Sequence, residues 1–540
     1  MSAGGEHRTL YRWQLDALVD WLRCGRRGVV EAVTGSGKTD VAIAAAADAL
    51  RRGRFVLVVV PSRVLMEQWL GRLTAALPGA RIGRLGDSGK DKPDACDVLV
   101  ATRHSTAAYR PVPPDGQGGL LIADECHGLG GGTLRRAMLR EYDERLGLTA
   151  TLERSDDGVT ELLLPYFGGI CHRYGFEDAI ADGVCAAPRV ALVGVQLTVE
   201  ERAEYLATEQ QLVESRGHLR RIRGMPLDPF GDFLAAVAHL AERDAGPDGR
   251  AARQYLDAFG QRREIVARSS GKYELLGHLA EAIRGAHGAL VFTETVRAAN
   301  HAINRLDPLV SIDLITGSTA RRQRKEILDD LRVRRLDAVA APRVLDEGID
   351  VPDANLGIVM SASRTRRQMI QRMGRVLRRK QPGVAARFVI MFAEDTVEDP
   401  TSRVERDGFL DEIERISESS RVFRAAQVGT LDEFLAAPGP AVVPPPRLAS
   451  GPGSDGRLDD LEVGPTPVDP PYLEVELAVL PEIRKPVTKP KRMSTGQAPL
   501  EVARIGDAWQ IRCSGCGEAS ELVQFRWQAL DQTIICRCDD

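Results

Sequence analysis

Every apolar run in this chain of 540 residues, Arg54 to Pro61 (RFVLVVVP) among them, falls far short of the roughly 20 residues that a membrane-spanning helix needs. The first residues lack the basic-then-apolar pattern of a signal peptide, so the expectation is a cytoplasmic protein without membrane contact. Cysteine is scarce. Nine in the whole chain exclude a scaffold built on disulfides, and the crowding of four of them near the C-terminal end suggests metal binding rather than cross-links. A preponderance of one charge is also missing: a net charge of -4 neither supports nor excludes nucleic acid, because binding needs a local basic surface and not a basic total. What is present, 43% hydrophobic and 27% charged residues, is ordinary globular composition at a length that implies several domains.

The most informative stretch is Glu31 to Asp40, EAVTGSGKTD. Strand-like GVVEAV runs into TGSGKT and then into an Ala-rich segment of high helix propensity, the strand–loop–helix setting that a phosphate-binding loop requires. Gly35 and Gly37 let backbone N–H groups turn toward phosphate oxygens, with Thr34 and Ser36 completing the loop. Lys38 can reach the β and γ phosphates, and the Thr39 hydroxyl can ligate Mg²⁺. The first position of the usual eight-residue pattern is Ala32 instead of Gly, and a chance Gly-rich turn is the alternative. Mg²⁺ also needs a hard oxygen from a facing strand, and GLLIADECHG (Gly119 to Gly128) ends in Asp124 and Glu125. Asp124 is the candidate metal partner, and Glu125 the group that orients or deprotonates the attacking water.

With TGSGKT followed by DECH, the chain resembles the superfamily 2 helicases and translocases, and further motifs of that family follow in order. LYRWQLDAL is similar to the adenine-recognition Q motif, which implies amide contacts from Gln14 and stacking by Tyr11 or Arg12. VVVPSRVLMEQW and VLVATRHS are similar to motifs that hold a nucleic-acid backbone. LGLTATLER is similar to motif III, whose Thr149 and Thr151 would couple the ATP site to the nucleic-acid site. ALVFTETV, RVLDEGIDVPDA and QMIQRMGRVLRRK resemble motifs IV, V and VI; Ala341 and Pro342 stand where many relatives carry a backbone-contacting Thr. Within the superfamily the resemblance is to the XPB-like and type III restriction-like DNA helicases. It implies an α/β fold of two tandem RecA-like P-loop domains with parallel sheets, ATP and Mg²⁺ as cofactors, and DNA over RNA as partner.

The chemistry asks for two lobes independently of that resemblance. Phosphoryl transfer is accelerated by a cation that meets charge developing on the γ-phosphate, and the first lobe offers only Lys38 and Mg²⁺. Arg372, Arg375 and Arg378 repeat at a spacing of three, so Arg375 and Arg378 are candidate arginine fingers if their helix lines the cleft; a solvated basic helix is the alternative. Gly348 and Asp350 would join the nucleotide site from the same lobe.

The expected domains are an ATP-binding lobe at 1–195, a helical insertion or inter-lobe linker at 196–270, a second RecA-like lobe at 271–400, a helical extension at 401–437, a Pro-rich linker at 438–499 and a zinc-ribbon-like tail at 500–540. Some of the Pro-rich segment could pack on the motor in extended form. In the tail, Cys513 and Cys516 with Cys536 and Cys538 form two knuckles suited to a tetrahedral structural Zn²⁺, though the second is shorter than the usual C-x-x-C. The expected function is an ATP-dependent DNA helicase or translocase. An RNA helicase and a nucleic-acid-dependent ATPase switch or scaffold, recruiting protein partners through the tail, remain as alternatives.

Overall fold

The computed structural model describes residues 9–458 apart from 88, 155, 223, 228–229, 343–353, 361–373, 375, 402–412 and 444, together with 461 and the strands 500–505 and 508–513. Two parallel sheets organise residues up to 472, a compact unit separate from 473–540.

The first sheet contains β1 (Arg27–Ala32), β2 (Phe55–Val60), β3 (Ile82–Gly86), β4 (Gly89–Lys90), β5 (Val98–Thr102), β6 (Gly119–Asp124), β7 (Glu144–Thr149) and β8 (Ile170–Tyr174). Their order is β4-β3-β5-β2-β6-β7-β1-β8, parallel except for the short β3/β4 pair. The sequence of β2, FVLVVV, is buried at every position, as a strand covered on both faces must be. Helices α1 (Arg12–Arg23) and α2 (Lys38–Arg51) pack on one face, where the buried Ala42, Ala45, Ala46 and Ala49 let α2 lie close to the sheet. Because β7 alone separates β6 from β1, the loops after β1 and β6 open side by side at the carboxyl edge of the sheet, where open α/β folds bind ligands.

The second sheet contains β9 (Pro188–Val195), β10 (Ala289–Thr293), β11 (Ile312–Leu314), β12 (Ala338–Pro342), β13 (Leu356–Val359), β14 (Ala386–Ala393) and β15 (Ser419–Arg424), in the order β11-β12-β10-β13-β14-β9-β15 and parallel throughout. The sequence places 188–195 in the first lobe, yet β9 pairs along its whole length with β14. Helices Val199–Leu219, Phe230–Arg243 and Pro247–Ala267 follow β9 and enclose a small core of their own around Leu212, Leu219, Phe233, Val237 and Tyr255. The first is opened by a Thr198/Glu201 capping box.

The start of the Pro-rich segment lies against both lobes, with Ala449 and Leu458 buried in the main core. In the separate unit 473–540, β16 (Leu500–Ile505) and β17 (Ala508–Cys513) form an antiparallel hairpin that ends at Cys513. No described helix is long and apolar enough to cross a membrane.

Candidate active site

The loop after β1 is shaped by two left-handed glycines, Gly35 at φ 89° and Gly37 at φ 92°. Neither tolerates a side chain: a Cβ on Gly37 would stand 2.7 Å from Gln14 Nε2, and one on Gly35 2.8 Å from the carbonyl oxygen of Gly374. Ser36 closes the turn by donating from Oγ to the Val33 carbonyl at 2.7 Å. Thr34 Oγ1 is buried and has no hydrogen-bond partner among the described residues.

Lys38, the first residue of α2, points across to β6, where its Nζ lies 3.4 Å from Glu125 Oε1. Asp124 accepts a hydrogen bond of 2.9 Å from Trp69 Nε1, a partner that sequence reasoning missed although Trp69 closes one of the recognised motifs. Burial pushes the Asp124 carboxyl above its ordinary value, and the adjacent Glu125 adds to this; Lys38 and the Trp69 hydrogen bond oppose it. Burial likewise raises the neighbouring Cys126 thiol. Glu125 itself is held in the left-handed region at φ 46°, an unusual backbone for a non-glycine residue at the point where the chain turns out of β6.

Behind Glu125 stands a polar chain built from β7 and the turn after it. Thr149 Oγ1 lies 2.8 Å from the Thr151 carbonyl, 3.0 Å from His127 Nδ1 and 3.5 Å from Glu125 Oε2. Arg154 donates to the His127 carbonyl at 2.8 Å, and Glu31 Oε1 accepts from the Leu152 N–H at 2.8 Å. The segment after β7 is thereby fixed both to the acidic pair and to the strand carrying the phosphate loop. Glu31, His127 and Arg154 enter the site through side-chain reach, which local sequence pattern does not report.

On the opposite flank, Gln14 Nε2 donates to the Gly37 carbonyl at 3.0 Å while its Oε1 accepts from Tyr11 N–H at 2.8 Å. Each end of the amide still has one hydrogen-bonding position left. Arg12 pairs with Asp16 at 3.0 Å.

The second sheet closes the site from above. Gly374 abuts Thr34, and Arg378 Cγ would lie 3.5 Å from a Cβ on Gly35, so the described candidate finger reaches the phosphate loop. Its backbone is tied down by an antiparallel bridge to Cys185 and by Ala186 N–H donating to the Leu377 carbonyl at 2.8 Å. Arg375, Gly348 and Asp350 lie outside the described residues, as do Cys516, Cys536 and Cys538, while Cys513 ends β17. Among the described residues no cluster of three or more His, Cys, Asp or Glu is placed to hold a metal ion.

Two left-handed glycines, a buried hydroxyl without a partner and an ammonium facing two acids make a cradle that fits a polyphosphate. The oxygens of Asp124 and Thr39 are the hard donors that Mg²⁺ prefers.

The family described as "Type III restriction enzyme, res subunit" matches residues 7–154, and "Helicase conserved C-terminal domain" matches 271–380. Over 372 residues the chain is 34% identical to the DNA 3'-5' translocase XPB2 of Sulfurisphaera tokodaii, covering 68% of this chain and 78% of that protein. The chain belongs to the XPB/Rad25 family of superfamily 2 helicases. A second relative, the putative DNA 3'-5' helicase Rad25 of Halobacterium salinarum, is 28% identical over 74% of this family member and 56% of its own length, so the chain spans little more than half of it. In fold, a solved structure of a variant of S. cerevisiae Dbp5 bound to RNA and ADP BeF3 superposes with a TM-score of 0.50 at 13% identity, over 79% of this chain and 93% of that one. This XPB/Rad25 member thus carries the superfamily 2 ATPase pair, consistent with tandem RecA-like domains.

Proposed function

We propose that the protein is an ATP-dependent DNA translocase or helicase in which nucleotide bound between the two sheets drives their closure and release. The observation that carries this reading is the meeting of Lys38, Glu125, Gly35 and Gly374 at one cleft, with phosphate loop and acidic pair on one lobe and Arg378 on the other. Lys38 is the phosphate partner and Glu125 the group that orients or deprotonates water; Arg378, with Arg375, meets charge that develops on the transferred phosphoryl group. Gln14 recognises the adenine, and Gly348 and Asp350 belong to the nucleotide site. Thr39 and Asp124 hold Mg²⁺, which supplies charge neutralisation on the phosphate oxygens when bound. Because Lys38 contacts Glu125, a polyphosphate that draws Lys38 toward itself also releases Glu125 for water. Thr149 and His127 then keep the released carboxylate in place.

DNA as the substrate is supported by the two relatives named for action on DNA. The free Cys24, Cys96, Cys126, Cys171 and Cys185 fit a reducing, cytoplasmic setting. Cys513, Cys516, Cys536 and Cys538 are assigned to one structural Zn²⁺ on the chemistry of four thiolates in two knuckles, with protein or DNA engagement as the tail's role. The deciding experiment compares ATPase stimulation by single-stranded DNA, duplex DNA and RNA alongside strand displacement. Stimulation by DNA with 3'-5' movement is expected; stimulation by RNA alone would assign the motor to RNA, and DNA stimulation without movement would make it a switch.

A further inference from the structure

The segment after residue 436 leaves the second lobe, crosses to the first and ends on the residues that flank Gln14. Its start is fixed by Arg189, whose guanidinium donates to the carbonyls of Ala437 at 2.7 Å and Pro438 at 2.8 Å, and by Gly383 N–H donating to the Pro440 carbonyl at 2.8 Å. The sequence of 441–446 is AVVPPP, whose prolines leave few alternatives to an extended form. On the far side, Arg447 N–H donates to the Asp182 carbonyl at 3.0 Å and its guanidinium pairs with the Asp182 carboxylate at 3.2 Å.

From there the strap runs antiparallel to the segment before α1, with Tyr11 opposite Leu448. Arg12 N–H donates to the Arg447 carbonyl at 2.8 Å, Ala449 N–H to the Leu10 carbonyl at 2.9 Å, and Leu10 N–H to the Ser454 carbonyl at 2.9 Å. Gly453, at φ 80°, turns the chain down where a Cβ would sit 3.0 Å from Leu15 Cδ1, and Leu458 anchors the end at 4% exposure. Tyr11 N–H, held between these bonds, is the donor that orients the Gln14 amide.

We infer that residues 447–458 are a positioning strap for nucleotide-base selection: by fixing Leu10–Arg12 they set the orientation of the Gln14 amide, and so the preference for adenine over guanine nucleotides. This rests on the reading of Gln14 as the base contact. An amide reversed or displaced would lose its match to the donor and acceptor pattern of adenine while the phosphate loop stayed intact.

The test uses the full chain and compares kcat/KM for ATP and GTP in Ala449→Pro, which removes the N–H bonded to Leu10; in Arg447→Ala, which removes the ion pair from a largely exposed side chain; and in Gln14→Ala. Melting temperatures identify the variants that fold. The strap variants are expected to lose about five- to tenfold of the ATP preference, the worth of about one net hydrogen bond, with kcat at saturating ATP near wild type. If Gln14→Ala keeps the preference, the base-contact reading fails. If Gln14→Ala loses it while the folded strap variants keep it, or if they slow both nucleotides equally, the strap's role is overturned. Should Ala449→Pro not fold, Arg447→Ala decides.

Discussion

Gly374 approaches Thr34 so closely that a Cβ on it would stand 2.5 Å from Thr34 Cβ and 2.6 Å from the Thr34 carbonyl oxygen. At this point of the seam the two lobes leave no room for a methyl group beside the phosphate loop. Replacing Gly374 with Ala should hold the lobes apart by the thickness of a methyl group. We expect ATP affinity to change little and kcat to fall by about 10²-fold, the usual effect of an ångström-scale misplacement of catalytic groups. Steady-state ATPase assays with a thermal melt provide the check; wild-type kcat in a folded variant would show that the seam is not part of the catalytic arrangement.

Lys38 and Glu125 should respond differently to substitution although they touch. Lys38→Ala removes the phosphate partner and should weaken nucleotide binding and hydrolysis together. Glu125→Gln keeps the shape and should leave ATP bound, with turnover lower by about 10³-fold. Equilibrium binding of a fluorescent ATP analogue and single-turnover hydrolysis separate the two outcomes, and near-wild-type turnover in both would remove the pair from the mechanism.

Asp124 should be a site where activity and stability oppose each other. Its folded carboxyl titrates above its unfolded one, so between the ordinary carboxylate value of about 4 and the raised value the native state holds a proton that the unfolded state has lost. Stability therefore falls as pH rises through that window and the deficit persists above it. Asp124→Asn, which can accept from only one of the two N–H donors that Asp124 holds, Trp69 Nε1 and Glu125 N, should flatten the acid-to-neutral slope and should lose Mg²⁺-dependent hydrolysis. Melting temperatures of wild type and variant across the acid-to-neutral range check this; an unchanged slope in the variant would contradict the argument.

In the second lobe, Lys272 is fully buried with its Nζ 2.5 Å from Glu398 Oε2. Lys272→Ala should destabilise by about 3–5 kcal/mol because it removes the buried ammonium that faces a poorly solvated carboxylate, whereas Lys272→Met combined with Glu398→Leu should recover most of that loss. Urea unfolding of both variants measures the difference; equal destabilisation would mean that shape and not charge governs the position.

What the sequence makes legible is what is local. The phosphate loop, the acid-ended β6 and the order of motifs are carried by neighbouring residues, because strand, turn and helix each have a short-range pattern. Side-chain reach is not local: nothing beside Trp69 in the sequence says that its indole meets Asp124, 55 positions away. The same holds for the strap, whose prolines announce an extended chain but not the surface that receives it. Composition alone reads 438–499 as a linker, and only the backbone pairing of Leu10 and Arg12 with residues 447–454 reveals that part of it completes the first lobe.

The parallel pairing of β9 with both β14 and β15 bears on how the protein emerges from the ribosome. Strand β9, its sequence PRVALVGV almost wholly apolar, meets β14 only after nearly two hundred further residues have been made, and β15 later still. At a synthesis rate of about 5–20 residues per second that interval lasts roughly 10–40 s, during which an unpaired apolar edge is open to aggregation or to a chaperone. The helices from 199 to 267, which have an internal core, are made within that interval. The nascent chain is thus most vulnerable between the emergence of β9 and that of β14, and translation that slows over that stretch lengthens the time at risk.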